Sequence, residues 1–510
     1  MDRRDFLTSS FALAAAHAFA GLVPTAAAAA DTPTSAPVTG FSFSWLKDEA
    51  RRIAATAWAE PAETVPKRFA DLGFEQYRDI RWKRDQRIWR DDHRGFVLEP
   101  LPAGSVYKLA VGLYLVEGGN ALPIAFDRDL VDWGPTVRPP EDGVVLPWSG
   151  VKLRRSGEGD RWPEFAVFQG ASYFKGIARD LRYGLTARGL ALDTASPDGE
   201  EFPTFTRFYV EKPDENAQSI LVYALLESRS VTGAYRFTLR SGDETIVDVE
   251  MTLFPRVDLT HVGLGALNSM FLYDTVGHSQ VDDIRPAVHL SDGLAVRTGA
   301  GEYLWRPLAN PRTLQISAFG DENPLGFGLV QRKRDFAAYQ DIENRWDLRP
   351  SAWVEPIGDW GKGSVVLVEI PSDSEIHENI VAYWRPKAKI VAGQEFSAAY
   401  RLHWRADTCA PADLGRVAGS REGRGTEAAW RRFAVDFVGP MPPTAELRMV
   451  ATTSAGRLVA PRLDPNPATG GQRVTFDLDP GNAGLCELRI QLLAGDRPVS
   501  ETWLYRWVAA

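Results

Sequence analysis

The sequence predicts a mainly β protein with two sandwich domains behind an N-terminal export signal. Short apolar or alternating runs, separated by Gly, Pro, Asn and Asp, fill most of the chain after residue 60. Many short strands with regular turn signals are typical of sandwich folds. A chain of 510 residues also exceeds one ordinary hydrophobic core, so at least two domains are expected.

The first 30 residues have the order of an export signal. Arg3 and Arg4 precede Phe-Leu, an Ala-rich apolar stretch follows at 11–23, and small residues at 26–30 offer cleavage sites. Paired arginines in this place indicate the twin-arginine type of signal. The apolar stretch is short and Ala-rich for a membrane span, so we expect cleavage rather than an uncleaved anchor. The prediction is a periplasmic protein without a membrane span after cleavage.

One helix is predicted at 45–59, where apolar residues recur on one face until Pro61 ends the pattern. Strands are predicted after it, and Ser241, Gly242 and Asp243 indicate the turn of a hairpin between two of them. The strands predicted in the larger domain are 106–116, 219–226, 235–240, 245–253, 313–319 and 364–370.

A domain boundary is predicted near residue 390. Residues 385–389 are polar and include Pro386, and a turn signal at 392–395 precedes a new alternating strand. The larger domain is therefore placed at 38–385 and the smaller one at 392–510. The strands predicted in the smaller domain are 396–404, 429–438, 446–453, 472–478, 486–493 and 501–508. Their number and the length of this segment match an immunoglobulin-like sandwich.

The composition argues against some classes of function. The formal net charge is −9, with 58 basic and 67 acidic residues, and no basic run is present to hold a phosphate backbone. Nucleic acid is therefore not expected as a partner. Cys409 and Cys486 are the only cysteines in the sequence. In an oxidising compartment they could form a disulfide, or they could remain two separate buried thiols.

Familiar catalytic and cofactor motifs are absent from the sequence. It contains no His-Glu-x-x-His, no Cys-x-x-Cys and no Gly-x-Ser-x-Gly. Residues 361–364 resemble the end of a phosphate-binding loop, but Pro356 stands where the first Gly would be needed. The histidines after the signal lack the spacing of metal ligands. We therefore expect no cofactor and no metal.

Carboxylates and aromatic residues are concentrated at 289–384. Carboxyl groups can transfer protons at a glycosidic bond while ring faces hold sugars, so this mixture suits a carbohydrate cleft. The alternative is a set of solvated loop charges, with rings that serve core packing. The candidate sugar-contacting residues are Trp305, Tyr339, Trp346, Arg349, Trp353 and Trp360.

Several segments resemble the osmoregulated periplasmic glucan biosynthesis proteins of the OpgG and OpgD type. They extend from the first predicted sandwich to the last strand, so the similarity covers essentially the whole mature chain. The segments are GASYF at 170–174, YGLTARGLA at 183–191, EFP at 201–203, TGAY at 232–235, NPLGFGL at 323–329, RPSAWVEP at 349–356, WGKG at 360–363, RFAVDF at 432–437 and ETWLY at 501–505. The twin-arginine signal and the end of the chain soon after Tyr505 favour the D type.

The resemblance implies a large N-terminal sandwich of the galactose-mutarotase-like kind joined to a C-terminal immunoglobulin-like domain. It also implies a role in shaping the β-1,2-linked backbone of periplasmic glucans, by inverting hydrolysis or by transglycosylation that closes a ring. The implied partners are β-1,2-linked glucan and the inner-membrane glucan synthase. The alternative is a non-catalytic β-1,2-glucan-binding protein that assists glucan synthesis and release.

An inverting reaction needs a carboxylic acid for the leaving oxygen and a base for the attacking hydroxyl. The resemblance places the acid in EIHENIV at 375–381, where Glu378 stands in place of the family's usual Asp. The base is expected in the family pattern His-Asp-Ser-Asp-Gly, which is HLSDG at 289–293 here. Leu290 thus replaces the usual carboxylate, and leucine cannot accept a proton.

A second departure from the family lies at Trp346, where a Tyr hydroxyl that could join a proton relay is common. Three interpretations follow. The relay is rebuilt with Asp292 or Asp347, the enzyme transfers sugar to a sugar hydroxyl rather than to water, or hydrolysis is lost and glucan binding is kept.

Overall fold

A computed structural model of the chain describes residues 36–157, 159, 161–275, 282–406 and 410–509. The predicted signal at 1–30 therefore lies outside the described residues. Within these ranges no helix has the length and apolar character needed to cross a membrane. The described chain is mainly β, with two large sheets, a four-stranded sheet and short two-stranded ribbons. This architecture confirms the predicted fold class.

The predicted helix forms at Phe43–Ala54 and ends before its predicted end at residue 59. Near its C-terminus the Arg256 guanidinium donates to the Ala54 carbonyl at 2.9 Å, and the Thr56 hydroxyl donates to the Ile53 carbonyl at 2.8 Å. Because side chains satisfy these carbonyls, the helix stops there. The other helical segments are Lys67–Ala70, Phe74–Asp79 and the 3-10 turns Arg84–Gln86, Arg128–Leu130, Phe336–Ala338, Trp346–Leu348 and Thr444–Glu446.

The first large sheet has 16 strands. In spatial order they are Val38–Thr39, Asn120–Pro123, Gly112–Glu117, Thr204–Glu211, Ile220–Glu227, Val231–Arg240, Thr245–Pro255, Phe396–Arg405, Ser351–Ile357, Gly326–Val330, Gly293–Arg297, Tyr303–Pro307, Thr502–Val508, Leu485–Ala494 and Leu447–Thr453, with Arg497–Pro498 beside Leu485–Ala494. The predicted hairpin turn at 241–243 joins two of them, as expected. The strand predicted at 106–116 begins only at Gly112, because Gly104 and Tyr107 close a turn through backbone hydrogen bonds of 3.0 and 2.9 Å.

The second large sheet packs face to face on the first. Its strands are Gln315–Glu322, Lys362–Glu369, Ile380–Pro386, Val262–Ser269, Thr186–Arg188, Tyr173–Gly176, Glu164–Gln169, Trp148–Arg155 and Phe96–Pro102, with Ala191–Leu192 beside Val262–Ser269. Between the sheets, the rings of Phe168 and Phe174 lie 5.0 and 5.3 Å from Phe237. Successive side chains of a strand point to opposite faces, so Tyr173 and Lys175 stand on the outer face.

One strand differs from the predicted domain boundary near residue 390. The strand Phe396–Arg405, predicted as the first of the smaller domain, pairs with Thr245–Pro255 on one side and Ser351–Ile357 on the other. Its side chains Leu402 and Trp404 belong to the core of the larger domain. A turn signal marks where a strand starts but not which sheet that strand joins. We therefore place the change of domain after residue 405.

The smaller domain is also a sandwich. Three strands of the first large sheet, Leu447–Thr453, Leu485–Ala494 and Thr502–Val508, face a sheet ordered Arg416–Arg424, Arg431–Val438, Gly471–Asp479 and Arg457–Asn466. In its core the Phe433 ring lies 5.2 Å from Phe476 and 6.2 Å from Trp503. The strands Arg416–Arg424 and Arg457–Asn466 are missed by the sequence prediction, since charged residues and prolines interrupt their alternation.

Two smaller features complete the fold. The ribbons pair Phe271–Tyr273 with Val288–His289 and Arg81–Trp82 with Val131–Asp132. Cys486 is buried and bonds to no other cysteine within the described residues. Cys409 lies outside the described residues, so its predicted alternatives stay predictions.

The two domains are joined by backbone pairing and by a buried ion pair. Strand Tyr303–Pro307 pairs in parallel with Thr502–Val508. Arg332 of the larger domain donates to both carboxylate oxygens of Glu501, at 2.9 and 2.6 Å. These side chains are only 5% and 0% exposed, and the Arg332 guanidinium lies 3.4 Å from the centre of the Trp305 ring. The junction is therefore built like a protein core.

Candidate active site

The predicted acid, Glu378, lies in the loop before strand Ile380–Pro386 of the second large sheet. Its Oε2 atom accepts the Thr186 hydroxyl at 3.0 Å. Its Oε1 atom is buried and has no hydrogen-bond partner among the described residues. Burial raises the pKa of Glu378 to about 7, although the Lys175 charge and the Thr186 hydrogen bond lower it. A carboxyl that is partly protonated at neutral pH can donate a proton, as a general acid must.

The residue after Glu378 fixes the loop. The Asn379 side chain accepts the Phe271 N–H at 2.9 Å and donates to the Phe271 carbonyl at 3.0 Å. Earlier in the loop Glu375 forms an ion pair with Arg285 at 2.6 Å. Both contacts hold the loop against neighbouring segments, so the Glu378 backbone has little freedom to move.

A group of polar residues shares the outer face of the second sheet beside Glu378. This group, called the polar face below, consists of Tyr173, Lys175, Thr186, Arg188 and Asn268. Burial lowers the pKa of Lys175 to about 8, while the Glu378 charge opposes that shift. Burial thus disfavours the charged form of both side chains, while their opposite charges favour it. Arg188 is buried as well and pairs with Glu200 at 2.6 Å.

Tyrosine rings border the polar face. Burial raises the pKa of Tyr107 and Tyr173, and the Glu378 charge raises both further, which places these phenols within electrostatic reach of the acid. The Tyr77 ring lies 5.4 Å from the Tyr107 ring, and its hydroxyl accepts the Gln169 amide at 2.8 Å. The aromatic groups beside the acid are thus tyrosines from separate segments of the chain.

The structure differs from the predicted aromatic sugar platforms. All five are buried, at 8% exposure or less: Trp305, Tyr339, Trp346, Trp353 and Trp360. The Tyr339 ring packs on His289 at 5.2 Å, and the Trp360 ring packs on Trp384 at 6.4 Å. The contacts of these rings are with other buried side chains, so core packing explains them. Trp305 and Trp353 each border a surface pocket away from Glu378.

Arg349 is predicted to contact sugar, but in the structure its side chain connects two segments inside the protein. Its buried guanidinium donates to the carbonyls of Tyr183 and Asn344. Burial lowers the pKa of Arg349 to about 10, and the nearby Arg182 charge lowers it further. Burial also lowers the pKa of Lys175, and the Arg349 charge adds to that effect. Arg349 therefore acts on the polar face through its charge and through the two segments it holds.

The two carboxylates predicted as replacement bases already have partners. The Oδ2 atom of Asp292 accepts the backbone N–H groups of Arg332 and Lys333, the latter at 3.0 Å. Asp347 accepts two hydrogen bonds from Arg345, at 2.9 and 2.7 Å, and these lower its pKa. Both carboxylates hold local structure in place, and this argues against a rebuilt base at either position.

The two departures from the family pattern meet in one apolar cluster. Leu290 and Trp346 are both buried there, and the Trp346 indole N–H donates to Asp341 at 3.0 Å. The other buried members of the cluster are Met270, Tyr273, Ala287, Val288 and Tyr339. Leu290 has no atom that can carry a proton, and the Trp346 indole can donate but cannot accept one, so neither position can serve as the base of a proton relay.

The sequence prediction missed the polar face. Lys175, Thr186 and Arg188 come from short buried strands, and only sheet pairing brings Thr186 to Glu378, 192 residues later. A usable signal lies in GASYFKG at 170–176 and YGLTARG at 183–189, where basic and polar residues interrupt buried strands. Charged residues are seldom buried without a specific partner, so such a pattern indicates a functional face.

A sequence model of the family described as "Periplasmic glucan biosynthesis protein, MdoG" matches residues 41–507. The chain belongs to this family. Glucans biosynthesis protein G of Rhodopseudomonas palustris strain BisA53 is 44% identical over 99% of this chain and 100% of its own length. The proteins of the same name from Shewanella baltica strain OS195 and Vibrio cholerae strain O395 are each 44% identical over 90% of this chain and 85% of their length.

Membership of the MdoG family confirms the resemblance found in the sequence. It supports a role in periplasmic glucan biosynthesis and fits a periplasmic location. The three relatives carry the name of the G protein. The preference for the D type stays a prediction.

Proposed function

We propose that this protein acts on β-1,2-linked glucan during periplasmic glucan biosynthesis, with Glu378 as the general acid of an inverting transfer. The observation that supports this role is the buried Oε1 atom of Glu378, which has no partner in the described part of the chain. The pKa of about 7 follows from that burial. Such a group can protonate a glycosidic oxygen near neutral pH.

In the proposed reaction the polar face binds the sugars on either side of the scissile bond. The Glu378 proton goes to the leaving oxygen, the bond from that oxygen to the anomeric carbon breaks, and a hydroxyl attacks the carbon from the opposite side. Lys175 and Arg188 stabilise the carboxylate that forms. The proton of the attacking hydroxyl passes to solvent water, because Leu290 and Trp346 cannot accept it.

The apolar cluster favours a sugar hydroxyl over water as the acceptor. Leu290 and Trp346 offer no acceptor that could hold a water molecule and remove its proton. A glucan hydroxyl is instead held in place by the binding of its own chain, which supplies the orientation that a bimolecular attack lacks. The proposed activity is therefore transglycosylation, with ring closure when the acceptor belongs to the same glucan.

The same cluster supports a second candidate function. If the lost relay ends turnover altogether, the polar face still binds β-1,2-linked glucan. The protein would then assist glucan synthesis and release without catalysis, with the inner-membrane glucan synthase as its partner. Leu290 is the observation that favours this alternative.

A reducing-sugar assay on purified β-1,2-glucan, combined with mass spectrometry of the products, distinguishes these functions. New reducing ends with shorter chains would show hydrolysis. Products lighter by one water would show cyclisation, and incorporation of a labelled oligosaccharide would show transfer between chains. Unchanged glucan that still binds the protein would show the binding function, and β-1,3-glucan is the control for linkage specificity.

Tyr107→Leu and Tyr173→Leu should each weaken the binding of β-1,2-glucan about fivefold. Both rings are 8% exposed, so the expected loss of about 1 kcal/mol comes from the phenol hydroxyl as a hydrogen-bond partner of the glucan and not from ring stacking. Isothermal titration calorimetry measures the affinity. Trp58→Leu, which removes a ring exposed elsewhere on the surface, should bind like the parent. Parental affinity in both tyrosine variants would mean that the glucan lies elsewhere.

Replacing Arg3 and Arg4 by Lys should hold the precursor in the cytoplasm. The charge is kept, but the twin-arginine receptor recognises the arginine pair itself. Cell fractionation followed by immunoblotting measures the distribution, with Asp2→Asn as the control. Cleaved protein accumulating normally in the periplasm of the Lys variant would refute this export route.

A further inference from the structure

We propose that Asp274, His289 and Asp292 form a binding site for a divalent transition metal ion of the Zn²⁺ type. The site lies at the junction of the two domains and shares no residue with the polar face. Its argument uses neither Glu378 nor any step of the proposed reaction, so the two proposals stand or fall separately.

The spacing of the three side chains suits a metal ion. Their ligand atoms all lie within 4.8 Å of one another. His289 Nε2 and Asp292 Oδ1 are 3.7 Å apart, close to the separation of about 3.4 Å between two ligands of a tetrahedral ion with bonds of about 2.1 Å. Asp274 would complete the set by moving inward by on the order of 1 Å, which a side-chain rotation can supply.

The hydrogen bonds around His289 leave its Nε2 atom with a free lone pair. The Gln331 amide nitrogen donates to the carbonyls of His289 and Trp346, at 3.3 and 3.2 Å. This orientation turns the Gln331 Oε1 atom toward His289 Nδ1, 3.0 Å away. An acceptor there requires the proton on Nδ1, so neutral His289 carries none on Nε2. Metal-binding histidines have this arrangement, with the second ring nitrogen donating to an oxygen.

The lone pair of His289 is buried and unused. The side chain is 0% exposed, yet its Nε2 atom finds no hydrogen-bond donor in the ranges the structure describes. The facing Asp292 Oδ1 atom is an acceptor too, and two buried acceptors repel unless a cation lies between them. Asp292 is fixed in this direction because its other oxygen accepts backbone N–H groups. Two of the three ligands are therefore in place before an ion arrives.

Lys333 supplies the positive charge at this site in the structure. Its ammonium contacts both oxygens of Asp274 and lies 4.0 Å from Asp292 Oδ1. A divalent ion would displace that ammonium, and the Lys333 side chain, which is 24% exposed, can turn outward. The Lys333 ammonium thus competes with the metal ion for these carboxylates and lowers the affinity for the ion. When no ion is bound, it stabilises their negative charge.

A pocket at the domain junction gives an ion access to the site. Asp274, Asp292 and Lys333 line it together with Trp305 and residues 417–420 of the smaller domain. One imidazole and two carboxylates suit Zn²⁺, Co²⁺ or Mn²⁺, whereas Mg²⁺ and Ca²⁺ prefer oxygen ligands alone. A bound ion would connect separate segments at the wall that faces the smaller domain, so its binding should stabilise the fold.

The test is titration of the untagged, chelator-treated protein with Zn²⁺ by calorimetry and with Co²⁺ by visible absorption. The parent should bind one ion per chain and melt at a higher temperature with Zn²⁺ present. Lys333→Met should bind at least 10-fold more tightly, because the competing ammonium is gone. His289→Gln and Asp274→Asn should each bind at least 10-fold more weakly, in line with the usual cost of a lost contact at such a site.

The control is His261→Gln, because His261 makes a similar 3.7 Å contact with Asp193 on the surface. It should bind the ion like the parent. The proposal is overturned if neither the parent nor Lys333→Met binds Zn²⁺ or Co²⁺. It is equally overturned if the His289 and Asp274 variants, both checked for folding by circular dichroism, bind as the parent does.

Discussion

Turnover of β-1,2-glucan should fall by about 10²-fold or more in Glu378→Gln, while glucan binding persists. The amide keeps the shape of the carboxyl and can still accept the Thr186 hydroxyl at 3.0 Å. It has no proton to give to the leaving oxygen. The measurement is the initial rate of product formation, with the dissociation constant for glucan determined on the same preparation.

The pH dependence of this activity follows from the same group. The pKa of Glu378 is raised to about 7 by burial, and the acid works only when protonated, so the rate should fall as the pH rises through about 7. Thr186→Val removes a hydrogen bond that lowers this pKa, so the alkaline limb should move to higher pH. If Thr186 had only a structural role, the variant would be slower at every pH, and the pH at which the rate falls would stay the same.

Two variants separate Glu378 from its neighbours. Glu378→Asp restores the residue usual in the family and should retain turnover. Asp373→Asn changes an exposed carboxyl in the same loop and should leave the rate unchanged. If the Gln and Asp variants of Glu378 both turn over glucan like the parent, the acid lies elsewhere. Asp373 is then the next candidate, since Glu375 is engaged by Arg285.

Arg332→Met should lower the free energy of unfolding by about 3–5 kcal/mol, because it leaves the buried Glu501 carboxylate without its cation. The variant also loses the contact with the Trp305 ring and a hydrogen bond of 2.6 Å to the Val417 carbonyl. Chemical denaturation followed by tryptophan fluorescence measures the change. The double variant Arg332→Met with Glu501→Leu should recover part of the loss, since the unpaired charge is then gone.

The matched control is an ion pair of similar length on the surface. Arg51 and Glu395 are 2.9 Å apart, with side chains 53% and 44% exposed. Arg51→Met should therefore leave the free energy of unfolding almost unchanged. Equal losses in the Arg332 and Arg51 variants would show that the junction pair is not what holds the two domains together.

The fold could be predicted from the sequence where the determining signals are local. Alternation and turn residues place the hairpin around residues 241–243 and the long strands beside it. Strand Phe396–Arg405 is equally clear as a strand, but its sheet is decided by partners more than 140 residues earlier and by Ser351–Ile357. Alternation of apolar residues predicts a strand but not the strands with which it pairs. The domain boundary therefore could not be placed from the sequence.

For the candidate site, too, the sequence predicts what a local motif determines and misses what distant strands determine. Glu378 was found because a family motif surrounds it, whereas the partners that set its pKa come from strands far away in the sequence. For the aromatic residues, the sequence instead predicted a sugar-binding role that the structure does not support. An indole ring buries large apolar area in a core just as well as under a sugar, so the frequency of Trp around residues 305–360 predicted a cleft where the structure has packed interior. Only the packing of Trp346 and Trp360 decides between the two.

The parallel pairing at the domain junction also bears on how the chain is made. Strand Tyr303–Pro307 pairs with Gly293–Arg297 on one side and with Thr502–Val508, much later in the chain, on the other. Until residues 502–508 have been synthesised, one side of this strand presents unpaired N–H and C=O groups that another chain could pair with. This edge stays open until the chain has been synthesised through strand Thr502–Val508. The pairing that joins the two domains therefore also covers an edge at which chains could associate.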